Sequence, residues 1–116
     1  MVVEHHRAGT AEIEVERLSG GHLLHLALAG CVFNNVLRIA GDRGIQVDEA
    51  SVQVDGDFTD DGHSTGMKCR IDLSGDAEPA ELRAVAQVAF DDSTVAAVLR
   101  NGARVELRQE SPTPSE

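Results

Sequence analysis

The sequence predicts an α+β domain with an antiparallel sheet, and three features of its pattern indicate this fold class. The longest apolar segment, residues 20–40, has apolar side chains on nearly every side of a helical wheel, which is typical of a helix buried all round. We expect this helix to end near Gly44. Segments in which apolar and polar residues alternate, as they do in half-buried strands, lie before and after it. Helices and strands do not alternate regularly, so a parallel βαβ architecture is not expected.

Two short strands are expected before the long helix. Residues 12–16 alternate strictly, so Ile13 and Val15 should face the core while three glutamates face water. Residues 1–4 suit a short leading strand. The glycines at 20 and 21 then break the strand pattern and lead into the helix.

Two further strands and two helices are expected after the long helix. Residues 45–58 and 67–73 carry alternating apolar side chains and should form strands joined by a turn over 60–64. A helix is expected over 79–90, because proline suits its first turn and apolar residues follow at helical spacing. A shorter helix is expected over 94–99.

The C-terminal part of the chain should close the domain with one more strand. Any of residues 91–93 could cap the short helix, and a turn is expected over 100–102. Every second residue of 103–107 is apolar, which predicts the closing strand. The domain should therefore span 1–108, followed by a flexible tail over 109–116 that carries two prolines and no apolar anchor.

The composition excludes several classes of partner. With 116 residues, 41% of them hydrophobic, the chain suits one ordinary domain. Its formal net charge of -10 opposes binding to nucleic acid and to anionic membranes. The continuous apolar run 26–33 is too short to cross a bilayer. The N-terminus has no apolar signal segment and the two cysteines lack zinc-type spacing, so we expect a cytoplasmic protein with reduced thiols.

Three segments, taken in order, resemble a known family. They read Leu-Leu-x-Leu-Ala-Leu-Ala-Gly-Cys-x-x-x-x-x-Leu-x-x-Ala-x-x-Arg-Gly-Ile over 23–45, Val-Gln-Val-Asp-Gly over 52–56, and Leu-Arg-Asn-Gly-Ala-Arg-Val-Glu-Leu over 99–107. Together they resemble the OsmC/Ohr family of osmotically inducible and organic hydroperoxide resistance proteins. The resemblance implies an OsmC-like fold and an intertwined homodimer with the central helices at its interface. It also implies thiol-dependent reduction of organic hydroperoxides in the oxidative stress response, without a cofactor.

The same resemblance assigns roles to two residues. Cys31 falls at the position of the thiol that attacks the peroxide. An ordinary thiol has a pKa near 8.5 and is only about 3% thiolate at pH 7, so a reactive thiol needs a positive neighbour. In the family an arginine near the N-terminus supports the thiolate, and Arg7 matches that position.

Two other family positions lack the expected residue. The carboxylate that holds the arginine would fall within residues 20–22, which are Gly-Gly-His. The resolving cysteine, which closes a disulfide with the oxidised thiol, would fall at Asp92 or Ser93. Cys31 is then the only family thiol, so an external thiol would have to restore it. Cys69 lies on a predicted strand and is expected to be a core residue.

Other interpretations stay open. Cys31 could be a small buried hydrophobic residue, because free cysteine is among the most buried residue types. The protein could then be a non-catalytic dimer that holds a small apolar ligand in the former active-site pocket. His22 and His25 are three residues apart on the helix but lack a third ligand on their face, so no metal is expected. The aspartates within 55–61 lack the spacing of a calcium loop and suit a solvated hairpin.

Overall fold

The computed structural model describes residues 1–6 and 11–111, and it has the expected α+β fold. Of the tail expected over 109–116, residues 112–116 lie outside the described range. The described elements are β1 (Val2–His6), β2 (Ala11–Glu14), α1 (Gly20–Asp42), β3 (Val47–Phe58), β4 (Ser64–Gly75), α2 (Pro79–Asp91) and α3 (Thr94–Asn101).

The four strands form one antiparallel sheet in the order β2-β1-β3-β4. The long strands β3 and β4 form a hairpin, in which Val54 pairs with Cys69 and Val52 pairs with Ile71. Ala50, Val52 and Val54 are all buried, because alternate residues of a strand point to the same face. The strand pairings confirm the expected antiparallel sheet. The face of β3 that presents Ala50, Val52 and Val54 packs into the core.

The central helix α1 packs against this face and against α2. It begins after Ser19, whose hydroxyl accepts the backbone N–H of His22 at 3.0 Å. It ends at Asp42, slightly earlier than expected, and Gly44 follows with a positive φ of 68°. By length and composition α1 could cross a membrane, but the burial of one face within the domain assigns it to the core. The buried residues of α1 are His25, Leu28, Ala29, Val32, Phe33, Val36, Ile39 and Ala40.

Two expectations about burial are wrong within a single chain. Ile13 lies opposite the buried Val3 in the β1–β2 ladder, yet 62% of Ile13 is exposed. Val15 lies beyond the end of β2 and is also exposed. The helix is not buried all round, because Leu23 and Leu24 are 39% and 41% exposed. The exposed Ile13 lies on β2, an edge strand, which within the described part of the chain has a neighbouring strand on one side only.

The closing strand expected over 103–107 is not formed. The short helix α3 continues to Asn101, where a turn was expected, and Gly102 ends it with a φ of 77°. The residues that follow have no regular structure, and Val105 and Leu107 are 89% and 88% exposed. A strand forms only when a neighbouring strand pairs its N–H and C=O groups, so an alternating pattern is not sufficient by itself.

The helices α2 and α3 both pack on α1, and only Asp92 and Ser93 join them. Val85 and Ala89 of α2 and Ala96 of α3 are buried in the core. Because the connection is so short, the start of α3 is fixed close to the end of α2. This arrangement brings the start of α3 against the middle of α1.

Candidate functional site

The Cys31 thiol lies where the middle of α1 meets the start of α3. It is half-buried, and its sulfur lies 3.2 Å from the hydroxyl oxygen of Ser93. The two residues are 62 positions apart in the sequence. The packing of α2 and α3 on α1 brings them together.

Ser93 is the N-cap of α3, and this role orients its hydroxyl group. The residue is only 2% exposed, and its oxygen accepts the backbone N–H of Ala96 at 3.1 Å. A buried hydroxyl needs a partner for its own proton as well, and Ser93 donates that proton to Cys31. The sequence left the cap open among residues 91–93, and the structure selects Ser93.

Three neutral hydrogen-bond donors at the start of α3 favour the thiolate form of Cys31. Burial pushes the pKa of this thiol upward, but the Ser93 hydroxyl and the backbone N–H groups of Val95 and Thr94 outweigh it and hold the pKa below its ordinary value. The free N–H groups at the start of a helix carry partial positive charge and stabilise anions. The sequence predicted a charged side chain beside the thiol and did not reveal these backbone groups, because their only sequence signal is a capping serine before an apolar run.

An apolar groove of about 310 Å³ lies on the same two helices as the thiol. Leu28 of α1, about one turn before Cys31, and Ala96 of α3, about one turn after Ser93, line the groove, whereas Cys31 and Ser93 themselves do not. The Arg100 guanidinium borders it and lies 5.0 Å from the centre of the Phe90 ring. The other apolar side chains of its wall are Leu24, Phe58, Met67, Cys69 and Leu99.

Comparison with known proteins connects this arrangement to one family. The family model described as OsmC-like protein matches residues 10–108. The chain belongs to the OsmC-like family. No curated protein matches the sequence.

Two solved structures have the same fold as this OsmC-like protein. An OsmC-like protein of unknown function from Vibrio cholerae O1 biovar eltor is 15% identical, with 78% of this chain and 72% of that chain covered and a TM-score of 0.53. An OsmC-like hydroperoxide resistance protein from Jannaschia sp. CCS1 is 18% identical, with 89% and 74% covered and a TM-score of 0.56. At these identities the likeness shows the fold.

The structure brings two of the expected family positions together in this OsmC-like protein, Cys31 and Ser93. Asp92, the other candidate for the resolving position, is exposed and is the C-cap of α2. Arg7 lies outside the described residues, so its role stays a prediction. At Gly21, one of the positions where the family carboxylate would fall, an added Cβ would lie 2.8 Å from the Phe58 ring. That ring fills the space that a longer side chain would need.

The second thiol, Cys69, differs from Cys31 in its surroundings. It lies on β4 opposite Val54 and lines the apolar groove, where it is half-buried. Burial raises the pKa of the Cys69 thiol to about 11. Cys69 is therefore protonated and a poor nucleophile at neutral pH.

His22 and His25 form an aromatic cluster with Phe58. The His25 and Phe58 rings are stacked, with centres 5.7 Å apart, and His22 stands edge-on to both. His22 Nε2 also lies 3.4 Å from Asp57 Oδ1. His25 is 3% exposed, and within the described residues its Nε2 has no hydrogen-bond partner. In that same part of the chain, no three His, Cys, Asp or Glu side chains are grouped so that they could hold a metal ion.

Proposed function

We propose that this OsmC-like protein reduces organic hydroperoxides with the Cys31 thiolate. The observation that carries the proposal is the capped start of α3 directed at the sulfur, where Ser93 and two backbone N–H groups favour the charged form. The thiolate is the nucleophilic form of cysteine, so these donors supply what a peroxidatic thiol requires. The proposed function also agrees with the family to which the chain belongs.

The reaction has two stages. The Cys31 thiolate attacks the terminal oxygen of the hydroperoxide, the O–O bond breaks, and the alkoxide that leaves takes up a proton to become an alcohol. Cys31 is thereby oxidised to a sulfenic acid. An external thiol then attacks the sulfenic sulfur, which releases water and forms a mixed disulfide. A second thiol group attacks the external sulfur of this disulfide, which restores the Cys31 thiol and releases an oxidised disulfide.

In this proposal the reductant comes from outside the chain, because the resemblance puts the resolving position at Asp92 or Ser93 and neither residue is a thiol. A hydroxyl at 3.2 Å from the Cys31 sulfur can donate a hydrogen bond but cannot form a disulfide. Cys69 does not replace it in this proposal, since burial keeps its thiol protonated. We therefore assign one cysteine to the catalytic cycle.

The groove on α1 and α3, the two helices that meet at the Cys31 thiol, supports an organic substrate. Its wall is mainly apolar, so burial of the organic part of a hydroperoxide there would be favourable. Arg7 completes the proposed site as the cation that supports the thiolate, a role that rests on the resemblance to the family. We place the protein in the cytoplasm, where thiol reductants are available.

The protein acts as a homodimer in this proposal. Leu18, Val105 and Leu107 are each more than 80% exposed, at 82%, 89% and 88%. The strands β2 and β4 lie at the edges of the sheet, and an edge strand can pair with a strand of another chain. The alternating segment 103–107 of a second copy could pair with such an edge, which would give the intertwined dimer that the resemblance implies.

A peroxide-consumption assay tests the proposed function. The protein is incubated with cumene hydroperoxide and dithiothreitol, and the remaining peroxide is measured over time. We expect the wild type to consume the hydroperoxide, Cys31→Ser to lose this activity, and the matched Cys69→Ser variant to retain it. Consumption that survives in Cys31→Ser, or its absence from the wild type, would contradict the proposal.

A non-catalytic binding protein is the second candidate, and the size and apolar wall of the groove favour it. A protein of this kind would bind a small apolar molecule beside Phe58 and Met67 without using the thiol. An apolar fluorescent probe should then bind the wild type and Cys31→Ser equally, and Met67→Glu should weaken its binding. This outcome, with no peroxide consumption by the wild type, would favour the binding protein over the enzyme.

A further inference from the structure

The Asn35 side chain joins the middle of α1 to the end of α2. Its Nδ2 group donates a hydrogen bond to the carbonyl of Ala89 at 3.0 Å, in a partly buried position. Its Oδ1 accepts a longer and exposed hydrogen bond from Arg38 at 3.4 Å. The bond to Ala89 crosses between two helices, whereas the bond to Arg38 stays within α1, so the first can fix α2 relative to α1.

The Ala89 carbonyl lies where α2 gives way to α3. If α2 continued, the Ser93 N–H would donate to Ala89, four residues earlier. The chain turns instead, and the Ser93 N–H donates to the carbonyl of Phe90 at 3.1 Å. The turn leaves the Ala89 carbonyl without its helical donor, and the Asn35 side chain supplies an N–H group in its place. It thereby ties the segment that carries Ser93 to the central helix.

Asn35 and Cys31 lie on the same side of α1, because four residues are close to one helical turn. Two polar contacts therefore stand about one turn apart between α1 and the α2–α3 segment. Asn35 meets the Ala89 carbonyl, and Cys31 meets the Ser93 hydroxyl at 3.2 Å. Hydrogen bonds weaken steeply with distance and angle, so a small shift of this segment would weaken the bonds to the sulfur.

We infer that Asn35 is a positioning residue, which holds Ser93 and the first N–H groups of α3 against the Cys31 sulfur. It acts through the α2–α3 turn and does not itself touch the sulfur or the substrate in this assignment. The inference rests on the proposed function, because it assumes that the Cys31 thiolate performs the chemistry. It goes beyond that function by assigning the geometry of the thiolate site to a residue on α1.

The test is the pH dependence of Cys31 alkylation by iodoacetamide, followed on the Cys31 peptide by mass spectrometry. Asn35→Leu keeps the approximate size of the side chain but removes the donor. We expect its alkylation midpoint to move to higher pH and its rate at pH 7 to fall several-fold, since one unit of pKa changes a small thiolate fraction about tenfold. Asn35→Gln keeps an amide donor and should return the profile toward that of the wild type.

Val88→Ala is the matched control for a purely structural effect, because it removes packing from α2 without removing this donor. It should lower the thermal stability and leave the pH profile unchanged. If Asn35→Leu does not fold, Asn35→Ala tests the same loss of a donor with a strong helix former. A profile of either folded variant that coincides with the wild type, or an equal shift in Val88→Ala, would overturn the inference.

The alkylation profile separates this inference from the proposed function because it needs no hydroperoxide. A wild type with an acidic Cys31 but no peroxide consumption would contradict only the proposed function. An active wild type and an unchanged Asn35→Leu profile would contradict only the positioning role of Asn35.

Discussion

The Ser93 hydroxyl accepts the N–H of Ala96 at 3.1 Å and lies 3.2 Å from the Cys31 sulfur, to which it donates its proton. One oxygen therefore caps α3 and also favours the thiolate. The stability of the short helix and the reactivity of the thiol depend on the same atom. Loss of this hydroxyl should consequently change both.

The first prediction concerns the loss of this hydroxyl. Ser93→Ala should lower the free energy of unfolding by about 1 kcal/mol, the usual effect of losing an N-cap. It should also raise the pKa of Cys31, because one of the donors that lower it is gone. Urea unfolding and the pH profile of Cys31 alkylation measure the two effects. Ser93→Thr, which keeps a hydroxyl, is the control, and an unchanged pKa in Ser93→Ala would show that the contact does not support the thiolate.

The second prediction concerns the missing resolving thiol. Ser93→Cys would place a sulfur beside Cys31, at a site where the present oxygen lies 3.2 Å from it. Once a hydroperoxide has oxidised Cys31 to a sulfenic acid, the new thiol should attack it and close a disulfide. Non-reducing peptide mapping would detect this link.

The matched control for the second thiol is Asp92→Cys, because Asp92 is adjacent but exposed. It should form the link to Cys31 more slowly or not at all. Equal disulfide formation by the two variants would mean that the contact between Ser93 and Cys31 does not direct the reaction.

The third prediction is a pH dependence of stability that arises from His25. Burial, then the nearby His22 and then the N-terminal amino group lower the pKa of His25 below 6.5, while Asp55 and Asp57 have smaller effects in the opposite direction. Below about pH 6.5 the unfolded chain takes up a proton that the folded chain does not, so the free energy of unfolding falls as the pH falls toward the folded pKa. Well above pH 6.5 His25 is neutral in both the folded and the unfolded chain, so it does not make the free energy of unfolding depend on pH.

Urea unfolding between pH 5 and pH 8 measures this dependence. His25→Leu should flatten the acid side of the curve, whatever its effect at pH 8, because the group that takes up the proton is gone. His63→Leu is the control, since the His63 side chain is 78% exposed. An acid slope in His25→Leu as steep as in the wild type would contradict the assignment to His25.

The sequence predicted the elements that local patterns determine. Alternation placed β3 and β4, and a continuous apolar segment placed α1. The hydrogen bond between Cys31 and Ser93 depends on how three helices pack, and no periodicity contains that information. The resemblance to the family indicated the region of Ser93, but backbone N–H groups belong to every residue, so the donors of Thr94 and Val95 left no distinct sequence signal. The strand over 103–107 failed for the converse reason, because its alternating pattern is present but no strand in the described part of the chain pairs with it.

The last prediction asks whether that partner is a second copy. If the segment 103–107 pairs with the sheet of another chain, Val105 and Leu107 should pack on one face of the joint sheet, because alternate residues of a strand share a face. The wild type should then sediment as a dimer at micromolar concentration. Val105→Asp should shift it toward the monomer, since a carboxylate would have to be buried at the interface. Arg104→Asp introduces the same group on the opposite face of the strand and should leave the dimer intact. A wild type that sediments as a monomer, or a Val105→Asp variant as dimeric as Arg104→Asp, would rule out this pairing.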